Sequence, residues 1–180
     1  MARIPPVEGQ PDDPAAAEVF ARFAQEGRAP IALYRVLANA PGLLREYSDL
    51  ARWLRYEAAT PRSLRELVIL RCAQLTRSDY EWAHHRPMAV SAGVSERQIH
   101  ELAQWQESDA FDERERAALR LVEEMDEVGA TDETLAELQR LFGAAETVEL
   151  VLLAAFYEGV ARTIQAFGLE VEPEYRPYLD

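Results

Sequence analysis

The run Leu64-Arg-Glu-Leu-Val-Ile-Leu-Arg-Cys-Ala-Gln-Leu-Thr76, followed after Arg77 by Ser78-Asp-Tyr-Glu-Trp-Ala-His-His85, decides the fold. Leu64, Leu67, Val68, Leu70, Ala73 and Leu75 recur at steps of three and four, which is the period of a helix and not the alternation of a strand. Thr60 and Pro61 ahead of the run form an N-cap and first-turn pair, so a helix is expected from there to about Thr76. Ser78 opens a second helix, expected to end where Gly93 supplies a left-handed cap. These two helices hold the chain's unusual chemistry.

Glu66 shares a helix face with Arg62, Ile69, Leu70 and Ala73, a face that is expected to be buried. Glu81, His84 and His85 fall in the first two turns of the next helix, and their spacing brings both histidines within side-chain reach of Glu81. A carboxylate beside an imidazole raises the pKa of the ring and fixes its orientation, as a positioned general acid or base requires. If the two helices pack as an antiparallel hairpin, Glu66 approaches the same place, and two carboxylates and a histidine divide the work of proton transfer. Plainer readings stand beside this one. Ser78-Asp-Tyr-Glu81 is also a capping-box pattern, Glu66 with Arg62 is also a solvated i,i+4 pair, and one of the two histidines is expected to face outward. No metal site is expected, since there is neither a closed set of four ligands nor an H-E-x-x-H pattern.

Outward from this pair, the pattern is helix after helix. Asp13-Pro14 opens one that ends near Gly27; a second is expected from about Ala29 to Pro41, and a third carries Leu43, Leu44, Tyr47, Leu50, Leu54 and Tyr56. Ser95 to Gln98 reads as a capping box for a short helix ending near Gln104, and Asp112 to Glu115 opens another through Val128. Thr131 caps a helix to about Leu141, and a last one, from roughly Ala145 to Phe167, is apolar almost all round, as expected of a central helix or one covered by another subunit. The expected organisation is an N-terminal arm over 1–12, one all-α helical domain over 13–170 and a Pro-bearing tail over 171–180.

Composition narrows the function. At 180 residues the chain is long enough for one well-packed core. Its net charge of −13 disfavours nucleic acid and anionic membranes as partners. All 19 basic residues are Arg, which removes Schiff-base and P-loop lysine chemistry and leaves arginine or backbone groups to hold any anion. Cys72 is the only cysteine, so no disulfide and no CxxC can form within the chain; mid-helix, it reads as a buried, inert thiol. Trp53, Trp82 and Trp105 read as core or interface anchors, and His100 as surface. The opening residues lack a signal-peptide core, and Leu150 to Tyr157, the longest apolar stretch, is far short of the roughly 20 residues of a membrane span, so a cytoplasmic location is expected.

The Leu64–Thr76 run, with Tyr80-Glu-Trp-Ala-His-His85 and then Ala92-Gly-Val-Ser95, strongly resembles the carboxymuconolactone decarboxylase and AhpD-like family. Glu149-Leu-Val-Leu-Leu and Phe167-Gly-Leu-Glu-Val-Glu-Pro173 are similar to the C-terminal helix of its longer members. The resemblance implies an AhpD-like helical bundle that assembles as a homo-oligomer: a dimer, trimer or hexamer. In the redox branch the motif is a Glu, two cysteines and a His; here Glu66 and His85 fit, while Ser78 and Glu81 occupy the cysteine positions. Peroxide chemistry of that branch, which is peroxiredoxin-related, is therefore disfavoured. The decarboxylases of the family have a Glu four residues before the motif His, as Glu81 stands before His85.

By that resemblance the expected function is a cofactor-free lyase that removes CO2 from a small carboxylated lactone or related acid. His85, Glu81 and Glu66 are the expected catalytic residues, with His85 giving or taking the proton. Arg62, Arg77, His84 and Ser78 are the expected substrate-binding residues, Arg62 and Arg77 as anchors of the carboxylate. The alternatives are family-type peroxidase activity, which needs an accessible Cys72, and a non-catalytic helical oligomer that binds a small ligand.

Overall fold

The computed structural model describes residues 2–127 and 129–179. Among them the helices are α1 (Pro14–Gln25), α2 (Ala32–Leu37), α3 (Pro41–Tyr56), α4 (Arg62–Leu75), α5 (Asp79–Ser91), α6 (Glu96–Glu101), α7 (Glu113–Glu127) and α8 (Asp132–Phe167), with no strand. The end of α7 expected at Val128 lies outside the described residues.

The caps read from the sequence largely form. The Asp13 carboxylate accepts from the Ala15 amide, Thr131 Oγ1 accepts from Thr134, and the Ser95/Gln98 pair exchanges both bonds of a capping box. Asp112 and Glu115 do the same at the start of α7, each side chain accepting the other's backbone N–H. Two boundaries differ. Pro30 resets the chain, so α2 begins only at Ala32 and is a single six-residue piece. At α4, Thr60 is not the cap: its amide and that of Ala59 are each accepted, at 3.1 Å, by the Glu149 carboxylate of α8, and Pro61 takes the cap position.

The centre of the molecule is α4. Its residues from Leu64 to Leu70, together with Cys72 and Ala73, are buried, because α5, α7 and α8 pack around it. One part of the core joins Val68, Ile69 and Cys72 to Leu121, Leu150 and Leu153 of α7 and α8; another joins Leu67 and Leu70 to Ile99, Leu102 and Trp105. Each such leucine removed from water contributes roughly 1.5–3 kcal/mol. A third part assembles α1, α2 and α3 with Tyr80 of α5 and Val160 and Ile164 of α8.

The last two expected helices both form, and run together as α8 across a kink at Gly143 (φ 75°, ψ 173°). That backbone geometry is essentially open only to glycine. After the break Leu150, Leu153, Ala154, Tyr157, Ala161 and Ile164 face the core, but Val148 (65% exposed) and Leu152 face outward, so α8 is covered on one side only. The N-terminal arm lies on the domain: the Arg3 amide donates to the Phe167 carbonyl at 2.7 Å and that of Val7 to the Arg35 carbonyl at 2.9 Å. The C-terminal segment, with a short 3-10 turn at Arg176–Tyr178, packs on α5.

Candidate active site

Adjacent α4 and α5 bring Glu66 and His85 together. Glu66 is fully buried, and its Oε2 lies 2.8 Å from His85 Nδ1 while Oε1 pairs with the Arg62 guanidinium. The solvated-pair reading of Glu66 and Arg62 therefore gives way to a buried one, since α5 covers the face from which Glu66 projects. Arg62 also donates to the Arg55 carbonyl at the end of α3. Burial by itself works to raise the Glu66 carboxyl, but the His85 ring and the fixed charges of Arg62 and Arg55 outweigh it and hold Glu66 below the usual carboxylate range. Burial lowers the His85 pKa, against the pull of Glu66. At neutral pH the pair is thus a carboxylate accepting the Nδ1–H of a neutral imidazole, which leaves Nε2 as a proton acceptor. The Tyr157 ring stands edge-on to His85, with ring centroids 5.1 Å apart.

Glu81 is the unusual group. Ser78 Oγ accepts from the Glu81 amide at 3.4 Å, so Ser78 caps α5; the return bond of a capping box does not form, because the Ser78 amide donates to the Ala73 carbonyl. The Glu81 carboxyl, 2% exposed, turns inward, where neither oxygen has a hydrogen-bond partner. Burial pushes it well above the usual carboxylate range. Burial thus favours its protonated form.

Glu81, His84 and His85 all line one cavity of about 40 Å³, walled by Tyr34, Tyr47, Tyr80 and Tyr157. That volume has room for on the order of two or three waters. Outside it lies an open groove of about 790 Å³ with Tyr56, Met88 and Tyr175 among its walls. Arg55 and His84 line both spaces. They form the neck between them.

The C-terminal segment closes over that neck. His84 Nε2 lies 2.8 Å from Glu172 Oε2; Glu172 Oε1 accepts from the Tyr80 hydroxyl and from the Ala32 amide, each at 2.8 Å. The Tyr175 ring lies against His84 at a centroid distance of 3.7 Å. Burial alone works to raise the Glu172 carboxyl, but those three donors hold it down, at about 2.

Of the seven residues singled out, five meet at or beside the cavity: Glu66, Glu81, His84, His85 and Arg62. Ser78 is spent on capping. Arg77 does not share the Glu66 face: α4 ends at Leu75, and Arg77 sits exposed in the following turn with a left-handed φ of 55°, lining neither space. Arg55, Glu172 and Tyr175 were missed. For Arg55 a signal existed, since it lies four and eight residues after Ala51 and Tyr47, on the inward stripe of α3. For the tail residues none did. Cys72 is fully buried with Sγ 3.8 Å from the Ala154 carbonyl, and burial raises its thiol pKa. Among the described residues no three His, Cys, Asp or Glu side chains gather as metal ligands. No helix among them is long and apolar enough to cross a membrane.

The all-helical fold is AhpD-like, and solved structures with this fold match nearly the whole chain. Residues 41–124, covering α3 to α6 and most of α7, match the model of the Carboxymuconolactone decarboxylase family, the family whose motif the sequence resembles. The debrominase Bmp8 in its apo form has the same fold, with a TM-score of 0.84 at 21% identity over 99% of this chain and 96% of its own. A cysteine-to-alanine variant of Bmp8 in complex with 2,3,4-tribromopyrrole gives a TM-score of 0.82 at 21% identity, over 97% of this chain and 95% of its own. The AhpD core of an uncharacterized peroxidase-related protein from Ralstonia eutropha JMP134 gives 0.79 at 16% identity, over 97% of this chain and 94% of its own. No curated protein matches the sequence.

Proposed function

We propose that the chain is a cofactor-free lyase of the carboxymuconolactone decarboxylase type, releasing CO2 from a small carboxylated lactone or related acid. One observation carries the reading: a buried Glu81 carboxyl without a partner, pushed by burial toward its protonated form, lines the same cavity as His85, whose orientation Glu66 fixes. Two titratable groups whose environments push them to complementary states at one pH divide the acid and base roles. In the step itself the bond from the substrate carbon to its carboxylate breaks and CO2 leaves. The electron pair passes into the conjugated lactone carbonyl, and the Glu81 proton is delivered to carbon. His85 Nε2 then relays a proton from solvent to restore Glu81. We extend the reading to a homo-oligomer, with the uncovered Val148 and Leu152 face of α8 as the surface that a second copy would cover.

The test is CO2 release from 4-carboxymuconolactone and related lactone acids. Wild type is expected to turn over, and Glu81→Gln and His85→Gln to lose about 10²–10⁴-fold in kcat. Wild type without CO2 release, or a Glu81→Gln variant of full activity, defeats the reading. The likeness to Bmp8 over nearly the whole chain favours a second reading, removal of halogen from a planar ring. Bromide release from 2,3,4-tribromopyrrole in a parallel assay, with an added thiol as the two-electron reductant that exchange of bromine for hydrogen requires, decides between the two.

A further inference from the structure

Arg55 has no direct ion pair among the described residues. The chain carries 32 acidic residues, yet among the described residues no carboxylate pairs with its guanidinium, and its buried Nε has no hydrogen-bond partner. Its charge meets the phenols of Tyr34, Tyr56 and Tyr157, Tyr34 also as a hydrogen-bond partner, and reaches the Glu66 carboxylate only at longer range. Every other arginine on the groove is committed: Arg28 pairs with Glu26 and Arg62 with Glu66, while Arg65 donates to the carbonyls of Ala58, Thr60 and Arg55. A half-buried guanidinium with no direct ion pair and an unpartnered Nε is completed by an anionic ligand. Arg55 stands at the neck, with the unpartnered Glu81 on the cavity side and the tyrosine-walled groove outside.

We propose that Arg55 anchors the carboxylate of a planar aromatic or conjugated acid, whose body lies in the outer groove against Tyr56, Met88 and Tyr175. This deepens the decarboxylase reading by naming its substrate class. The inner cavity is too small for a ring, whereas the groove is ample, so the carboxylate leads and the body follows. A planar guanidinium suits a carboxylate through two parallel N–H donors, and tyrosine faces suit a flat body. His84, on the other side of the neck, flanks the same carboxylate position.

Binding of benzoate to the full chain, followed by titration calorimetry, tests this without turnover, so its failure and that of the CO2 assay are separable. Wild type is expected to bind benzoate at least about tenfold more tightly than its uncharged isostere benzamide, and than acetate, which lacks the flat body. Arg55→Gln is expected to weaken benzoate about tenfold to a hundredfold, and Arg55→Lys, which keeps the charge, to recover part of that. Arg28→Gln at the groove's outer rim should change affinity less than about twofold. The proposal is overturned if wild type shows no saturable benzoate binding or prefers benzamide equally. It is also overturned if a folded Arg55→Gln binds like wild type, or if Arg28→Gln loses as much as Arg55→Gln.

Discussion

Glu66 Oε2 lies 2.8 Å from His85 Nδ1 across the contact of α4 and α5, and this one bond sets the tautomer of the ring on which the site turns. With Glu66 removed, His85 and Arg62 are left beside each other with no carboxylate between them. Glu66→Ala is expected to destabilise the fold by about 3–5 kcal/mol, the usual cost of breaking a buried charged pair. Denaturant unfolding measures it, and a loss below about 1 kcal/mol would show that the pair does not hold the two helices together.

Glu81 opposes folding as the pH rises. Its folded pKa lies above the ordinary 4.5, so the native state holds the proton more tightly than the unfolded chain. Its contribution is most favourable below about 4.5 and declines above that as the pH climbs toward the folded value. Glu81→Leu abolishes the decline and is expected to be more stable than wild type at pH 8 by about 1–3 kcal/mol, with a smaller difference at pH 5. Melting curves of both proteins across that range are the check. A gap that does not widen with pH would mean that Glu81 is not held protonated.

Glu172 has the opposite sign. With a folded pKa of about 2 against an ordinary 4.5, its tie to α2 and α5 is complete above about 4.5 and fades as the pH falls toward 2. In Glu172→Ala the Ala32 amide loses its acceptor, and its hydrogen exchange at pH 6 should rise about tenfold to a hundredfold. Lowering the pH to about 3 should bring wild type part of the way toward the variant. Unchanged protection of Ala32 would show that the tail does not fasten the neck.

Gly143 isolates a backbone effect. No heavy atom lies within 4 Å of where a Cβ would sit, so any loss in Gly143→Ala comes from the φ of 75° alone. The expected cost is about 1–3 kcal/mol by thermal unfolding. A neutral substitution would mean that α8 tolerates running straight through this position.

Most of the fold was legible because local rules decide it. Period, caps and glycine stops mark the helices. The exceptions, Thr60 and the start of α2, arise where Glu149 reaches over from α8 and where Pro30 interrupts. The family resemblance rests on the Leu64–Thr76 run with Tyr80–His85 and Ala92–Ser95, and spacing alone places Glu81 and His85 on one helix.

The sequence by itself determined the helical class, the lack of a second cysteine and the types of group available for chemistry, since composition and helical period depend on neighbours along the chain. Only the tertiary structure decided which of two readings each polar residue takes. Burial by α5 made Glu66 an internal partner of His85, and an inward turn pushed the Glu81 carboxyl toward its protonated form where a capping box would have left it an exposed carboxylate. The closure of residues 172–175 over His84 brought in a part of the chain that no spacing connects to the motif. Burial and the contacts of distant segments set charge states, and neither is written in local sequence.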